Sequence, residues 1–426
     1  MYHLAFLYGL LSFVSSLPCD TSGPNSELLL SLNKDLLRSL ERLEGLPNPS
    51  VHLALRLSDT HNLVKEGQHL NRLKNHLHND IQSGLALSQP VVGRLALYTL
   101  ALKSSCYDLN TITFTVGDKS ETLLTHLKKQ MEQEKEYISF SQRPLTNYYQ
   151  YSLGVLALCV SGIRVNNHIA NKLIKAVEHD YFTHGDTVSI DTYAMAAMAL
   201  QCVKNAGSHI HNAAELETAL TKIKQKLLAS RRPDGHIGNE FSTGLAVQAL
   251  LAMGSQVSAC AAPMEAMRRD ARGNTYHNPM AISQVLPALQ QKSYLAVQSK
   301  ECLNEEDTLV LEPIDPVVVL PSDTKVAVMV EVVTSSGSSA VYSLDVPKGS
   351  SLLAALQLLK GKNVGFTFEQ ESSLWGPFLS VVNGERARQS DRRYWHLSSG
   401  DAALTQGIRD FKIEVDQKIT IKNTSF

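Results

Sequence analysis

Basic residues are not in excess in this sequence: Lys plus Arg number 40 against 41 for Asp plus Glu, a net charge of −1. A nucleic-acid binder carries a positive footprint, and none is present. Aromatic residues are scarce as well, at 6%, too few for a row of base-stacking platforms. No apolar run reaches the roughly 18 uninterrupted residues of a membrane span. The six cysteines include no Cys-x-x-Cys pair, so zinc and thioredoxin-type chemistry lack local support. Catalytic signatures are missing too, with no Gly-x-Ser-x-Gly elbow, no P-loop and no His-Glu-x-x-His.

What is present is an ordinary globular balance, 43% hydrophobic over 426 residues, a length that suggests two domains. The apolar stretch Leu4 to Val14, followed by Ser15 and Ser16, reads as a signal peptide over 1–18 and predicts a secreted product. Cys19, Cys106, Cys159, Cys202, Cys260 and Cys302 then read as three disulfides, with fifteen pairings open. Asn423-Thr424-Ser425 is the one glycosylation sequon.

From about residue 25 to 300, Leu and Ala recur at helical spacing. A polar or Pro-containing start followed by a small-and-apolar run returns six times, at spacings of roughly one helical hairpin. The starts are Asn48-Pro49, Gln89-Pro90, Thr146-Asn147, Ser189 to Thr192, Ser242-Thr243 and Asn278-Pro279. Charged amphipathic segments such as Leu123 to Lys135 and Ala214 to Leu228 lie between them. Helices apolar all round belong inside and one-sided helices outside, which predicts an α6/α6 barrel over 19–302. The inner helices then begin at one mouth, where free backbone N–H groups also gather. Thr146, Tyr149, Gln150, Asp191, Asn239, Ser242 and Gln284 converge there, although any of the short polar ones is equally an ordinary N-cap. Amides, hydroxyls and a phenol with one acid suit a large ligand decorated with amides.

Residues 303–324 carry Pro313, Pro316 and Pro321 among acids and read as an extended linker. Beyond it the period becomes two: Val326 to Val332, Ala340 to Leu344, Phe366 to Phe368, Phe378 to Val382, Phe411 to Val415 and Ile419 to Ile421 read as strands. With a helix over Leu352 to Leu359 they make a small mixed β domain with one helix, 325–426. Both tryptophans, Trp375 and Trp395, fall in it.

An enzyme is the alternative reading, because α/α barrels also house glycoside hydrolases and terpene or prenyl cyclases. A glycosidase needs two carboxylates across the cleft. Only Asp191, and Asp234 or Glu240, lie near the mouth. A binding protein suits the rim better.

Several segments resemble the vertebrate cobalamin carriers, the family of transcobalamin, intrinsic factor and haptocorrin, over nearly the whole chain. They are Thr146 to Gly154 (Thr-Asn-Tyr-Tyr-Gln-Tyr-Ser-Leu-Gly), Ser189-Ile190-Asp191-Thr192, Gly238 to Thr243 and His277 to Gln284, then Leu374 to Pro377, Tyr394-Trp395 and Gln406-Gly407-Ile408. The resemblance implies a secreted, non-enzymatic carrier, closest to a transcobalamin-like one, with cobalamin held between the two domains and a cell-surface receptor for uptake. It also implies the pairings Cys19–Cys260, Cys106–Cys302 and Cys159–Cys202. Contacts carried over residue by residue are Thr146, Tyr149, Gln150, Asp191, Asn239, Ser242 and Gln284 on the barrel. On the β domain they are Trp375, Phe378, Trp395, His396, Leu397 and Leu404.

Two positions depart from the family. Transcobalamin has a ligand-touching Gln before its second inner helix where this chain has Arg94. It also has a His three residues before the Asp of its Ser-x-Asp-Thr segment, able to take the upper position on cobalt; here that residue is Val188. The candidate cobalt ligand in this chain is His184, seven residues before Asp191 on a longer loop.

Overall fold

The computed structural model describes residues 26–41, 47–86, 91–116, 119–184, 187–207, 213–255, 257–312, 324–373, 376–388, 391–400, 402–404 and 406–425. The signal-peptide reading, Cys19 and its pairing with Cys260, and Trp375 lie outside them.

Twelve helices alternate in position among the described residues of the first domain. In chain order they are α1 (Ser26–Ser39), α2 (Pro49–Leu57), α3 (Leu63–Ala86), α4 (Val92–Ser104), α5 (Leu123–Ser141) and α6 (Tyr148–Val160). Then come α7 (Asn167–Glu178), α8 (Ile190–Asn205), α9 (Ala213–Ala229), α10 (Ser242–Ala252), α11 (Val257–Arg272) and α12 (Pro279–Leu289). The even-numbered helices pack in sequence, α2 on α4, α4 on α6, α6 on α8, α8 on α10 and α10 on α12, and α12 returns to α2. That closes the inner ring.

Sequence dictates which helix is inside. Every residue of α2 is buried, and α6 and α8 are buried over most of their length. By contrast α7 buries only Ile169, Ala170, Leu173, Ile174, Ala176 and Val177, one stripe at helical spacing. Starts are fixed by side-chain caps, each worth about 1 kcal/mol. Asn48 accepts from the Ser50 N–H, Asn147 from Gln150, Ser189 from Thr192 and Asn278 from Ala281, with Pro49 and Pro279 opening their helices.

The other ends of the inner helices are stapled. Cys159–Cys202 joins the C-terminal turns of α6 and α8, and Cys106–Cys302 ties the end of α4 to the segment after α12. These are two of the three pairings that the resemblance implies. Between α12 and Cys302 a 3₁₀ turn, Tyr294–Ser299, packs against α4, α6 and α8 with Tyr294 and Val297 buried, forming a floor. Beside it the Arg56 guanidinium, in α2, reaches Glu66 at 2.8 Å and also Glu305, and Lys300 joins Glu305 at 2.6 Å. Leu309 N–H donates to His61 O at 2.7 Å, and the Asn62 amide donates to Leu309 O. The chain leaving the barrel is thus held to it through Leu309.

Two hairpins that the periodicity did not predict interrupt the helices: β1 (Thr113–Val116) with β2 (Lys119–Thr122), and β3 (Thr183–His184) with β4 (Thr187–Val188).

The second domain comprises β5 (Lys325–Val333), β6 (Ser339–Pro347), β7 (Ser350–Ser351), α13 (Leu352–Gly361), β8 (Phe368–Ser373), β9 (Gly376–Val382) and β10 (Glu385–Arg386). It ends with β11 (Arg393–Ser399), β12 (Ala402–Ala403), β13 (Lys412–Ile413) and β14 (Gln417–Ser425). The main sheet is mixed, in the order β12-β11-β14-β5-β6, with β14 parallel to β5 and the other pairs antiparallel. Val326, Val328, Val330 and Val332 alternate inward from β5 onto Leu352, Leu356 and Leu359 of α13. A separate antiparallel sheet, β10-β9-β8, lies beside it.

Three strand expectations change. The segment Phe366 to Phe368 becomes a strand only from Phe368, because Phe366 instead fills the core edge-on to Tyr342, ring centroids 5.3 Å apart. Of Phe411 to Val415 only Lys412–Ile413 is strand, paired with β7. Finally, β11 was missed, since its half-buried residues do not alternate.

Candidate functional site

Contacts between neighbouring inner helices show that their N-terminal ends share one mouth. Asn48, at the start of α2, donates to the Met280 sulfur of α12 at 2.7 Å. At Gly244 of α10 a Cβ would come within 2.7 Å of the Gln284 carbonyl of α12, so only glycine permits that approach. Ser242 of α10 hydrogen-bonds the Asp191 carboxyl of α8, and Asp191 in turn faces Tyr149 of α6. The Gln150 side chain lies over Gly93 of α4, 2.7 Å from where a Cβ would stand. Five of the seven barrel residues expected at the rim are therefore on one circuit; the other two, Thr146 and Asn239, sit just ahead of α6 and α10.

Their roles differ. Asp191 is not the cap of α8, which corrects the alternative reading of it: Ser189 is, and this releases the Asp191 carboxyl. Burial pushes that carboxyl up while the Ser242 hydroxyl pulls it back, and Oδ1 is buried with no partner. An acceptor of this kind calls for a donor from elsewhere. Burial pushes the Tyr149 phenol up as well, with Tyr294 and Asp191 as neighbours; Tyr294 on the floor is raised to about 12. Asn239 spends its Oδ1 on the Phe241 and Ser242 N–H groups, so it is the working cap of α10. Gln284 accepts the Gln248 amide on its backbone carbonyl at 2.9 Å, which leaves its side chain uncommitted by that bond.

Arg94 donates to Asp80 of α3 at 2.9 Å. Its side chain is 31% exposed and that of Asp80 7%, so the outer carboxylate holds the guanidinium beside the rim. Burial outweighs Arg94 and pushes the Asp80 carboxyl up. Thr146 turns toward the outer wall, where Glu134 of α5 accepts its hydroxyl at 2.8 Å and its N–H at 3.3 Å. Sequence reading missed Glu134, which looks like any surface charge on an amphipathic helix.

On the β domain Phe378 is 45% exposed, while Leu397 and Leu404 are half-buried and joined by the Leu404 N–H to Leu397 O at 2.8 Å. His396 stands edge-on to Tyr394, ring centroids 6.0 Å apart. Trp395 differs from expectation: it is 6% exposed and part of the domain core, with Nε1 buried and unpartnered. His277, just ahead of α12, lies 3.2 Å from Gln406 of the β domain, Nε2 to Oε1. The His184 backbone pairs with Thr187 in the β3–β4 hairpin, close ahead of Asp191 in the chain, while Val188 is 49% exposed. The His184 side chain lies outside the described set.

Such a rim presents neutral donors and acceptors with one buried acid. Of the other acids near it, Asp234 is paired with Arg232 at 3.0 Å, and Tyr276 donates to the backbone carbonyl of Glu240 at 3.1 Å. Among the described residues no cluster of three or more His, Cys, Asp or Glu side chains can hold a metal ion, and no helix is long and apolar enough to cross a membrane.

Comparison with known proteins agrees in sequence and in fold. Residues 1–323 match the family model described as eukaryotic cobalamin-binding protein, and residues 349–425 match a domain of unknown function. The chain is 35% identical to transcobalamin-2 of Bos taurus, over 98% of each chain. It is 26% identical to the cobalamin binding intrinsic factor of Homo sapiens, over 100% of this chain and 99% of that one. A crystal structure of haptocorrin in complex with Cbi superposes with a TM-score of 0.75 at 24% identity, over 94% of this chain and 97% of that one, which shows the shared fold.

Proposed function

The chain belongs to the eukaryotic cobalamin-binding protein family, and from that premise we propose that one cobalamin sits between the barrel rim and the β domain. The protein is a cobalamin-binding transport protein and not an enzyme; the vitamin is cargo, bound without reaction. We divide the chain for this purpose into a barrel over 19–302, a linker over 303–324 and a closing β domain over 325–426.

The observation that carries the reading is the Asp191 oxygen, buried and unpartnered within a circuit of hydroxyl and amide groups. Primary amides along the edge of a corrin bring N–H donors and carbonyl acceptors to such a circuit. Tyr149, Gln150, Asn239, Ser242 and Gln284 supply the complementary groups, with Thr146 and Arg94 at its edge. From the opposite side Phe378, Leu397, Leu404 and His396, with Trp375, cover the macrocycle, while Trp395 belongs to the β-domain core. A large rigid ligand loses little freedom on binding, so affinity is bounded by the general ceiling of roughly −18 to −21 kcal/mol rather than by contact area. Secretion, and delivery through a cell-surface receptor, follow from the same reading, as does His184 as the candidate to meet cobalt.

The test is direct. Purified protein is incubated with cyanocobalamin and passed over a gel-filtration column, and the visible spectrum of the protein peak is recorded. One equivalent of corrinoid co-eluting is expected; a colourless peak at micromolar protein sinks the reading.

A further inference from the structure

We propose that Glu134 is a positioning residue for specificity: it fixes the Thr146 hydroxyl as a hydrogen-bond acceptor, so that this part of the rim takes a ligand amide N–H and disfavours a carboxylate. The inference rests on the cobalamin reading above and adds to it a preference between ligand side chains.

Thr146 immediately precedes Asn147, the cap at the mouth end of α6, and keeps 7% of its surface exposed. A threonine hydroxyl has one proton to give and lone pairs to accept with. Here the proton goes outward, to Glu134 Oε1 at 2.8 Å. The backbone N–H of Thr146 goes the same way, 3.3 Å from both carboxylate oxygens. Glu134 is 1% exposed in the wall between α5 and α6, and the Leu145 backbone also donates to it. The donors from two consecutive backbone positions and from the hydroxyl offset the burial of this carboxyl. What remains at the rim is a hydroxyl oxygen without a proton to offer. A ligand propionamide can donate to it, whereas a carboxylate at the same place would bring two more acceptors and leave an unmatched contact.

The probes are cyanocobalamin and its separated monocarboxylic acids, in each of which one propionamide is hydrolysed. The parent chain is expected to bind at least one acid about tenfold more weakly than cyanocobalamin, the size of one unmatched hydrogen bond. Glu134→Gln can donate to the Thr146 oxygen and so free its proton for the ligand. In that variant the acid-to-amide affinity ratio for the same isomer should rise about tenfold. Thr146→Ser should keep the parent's ratio and Thr146→Val should lose the preference, which covers the case of Glu134→Gln failing to fold. A purely structural Glu134 would lower all affinities together and leave every ratio unchanged, and that outcome overturns the proposal. A parent that takes up no cyanocobalamin overturns the cobalamin reading as well, whereas a parent that binds it, with Glu134→Gln leaving the ratios unchanged, overturns this one alone.

Discussion

The His277 imidazole and the Gln406 side-chain carbonyl meet at 3.2 Å, joining the segment that leads into α12 to the β domain. The apolar cores of the two domains are otherwise separate: Val326 to Ile421 form one cluster, and no barrel residue belongs to it. A β domain held this way can act as a lid over the barrel mouth. A fragment ending at Thr324 keeps all six cysteines and should fold, yet release cyanocobalamin far faster than the whole chain. Gln406→Ala should speed release by several-fold at most, since one neutral hydrogen bond is worth about 1 kcal/mol. Stopped-flow displacement measures both. Equal off-rates for fragment and whole chain would remove the β domain from the site.

Asp191→Asn separates the carrier from a barrel hydrolase. Helix α8 should be unaffected, because Ser189 and not Asp191 caps it. Binding should weaken by roughly ten- to a hundredfold, the worth of one charge-assisted hydrogen bond. Isothermal titration with cyanocobalamin reads the change. Hydrolysis of any oligosaccharide by the parent, lost in this variant, would reverse the assignment.

Acid should destabilise the barrel through two buried histidines. His52 and His69 approach at 3.4 Å, Nδ1 to Nδ1, and His52 Nε2 meets the Ser105 hydroxyl at 2.7 Å. Burial pushes both imidazoles down, His69 to about 4, helped by Arg72 near His69 and by His69 and Arg56 near His52. The unfolded chain therefore binds these protons first, and stability falls as pH drops below about 6.5. For His69 alone the loss approaches roughly 3 kcal/mol by pH 4. The raised carboxyls of Asp80, Glu134 and Asp191 act with the opposite sign. Urea midpoints between pH 7.5 and 4.5 should therefore fall less steeply for His52→Gln/His69→Gln than for the parent. Parallel slopes would place the acid sensitivity elsewhere.

Asn423 is expected to carry no glycan. Its side chain is 3% exposed, accepts from the Arg393 Nε–H at 2.8 Å and donates to Glu385 at 2.9 Å. A sugar on that nitrogen would break the pair and open the strand β14. Protein secreted from a glycosylating host should keep its intact mass after peptide-N-glycosidase treatment; a mass loss of one glycan contradicts the buried geometry.

Aquocobalamin tests the cobalt. With β3 and β4 already paired, the backbone beside His184 needs less ordering than a free loop, where each residue costs about 1–2 kcal/mol. The expectation is that water stays on cobalt, and that bound spectra of parent and His184→Ala coincide in the near-ultraviolet. A clear imidazole-type shift in the parent, absent from the variant, would make His184 the ligand.

Much of this was written in periodicity. The run from Leu153 to Leu158 is apolar on every side, and such a helix has nowhere to be except inside. Caps such as Asn147 and Asn278 announced the mouth for the same local reason. Cysteine spacing could not choose among pairings, because the partners meet only once the ring has closed. Buried charge was the least legible. Glu66, Glu134 and Asp80 occupy helical positions that read as solvated until Arg56, Thr146 and Arg94 arrive from segments 10 to 14 residues away. Trp395 failed differently: an aromatic beside a polar neighbour reads the same whether its ring meets a ligand or its own sheet.

The covalent ties described here all lie at the closed end of the barrel, beneath the floor made by Tyr294 and Val297. Cohesion and recognition are thereby assigned to opposite poles of the same helices. Substitutions at the open pole, where Arg94 stands, can then change recognition without loosening the closed one. A lineage of such chains can thus exchange one cargo preference for another while inheriting the same foundation.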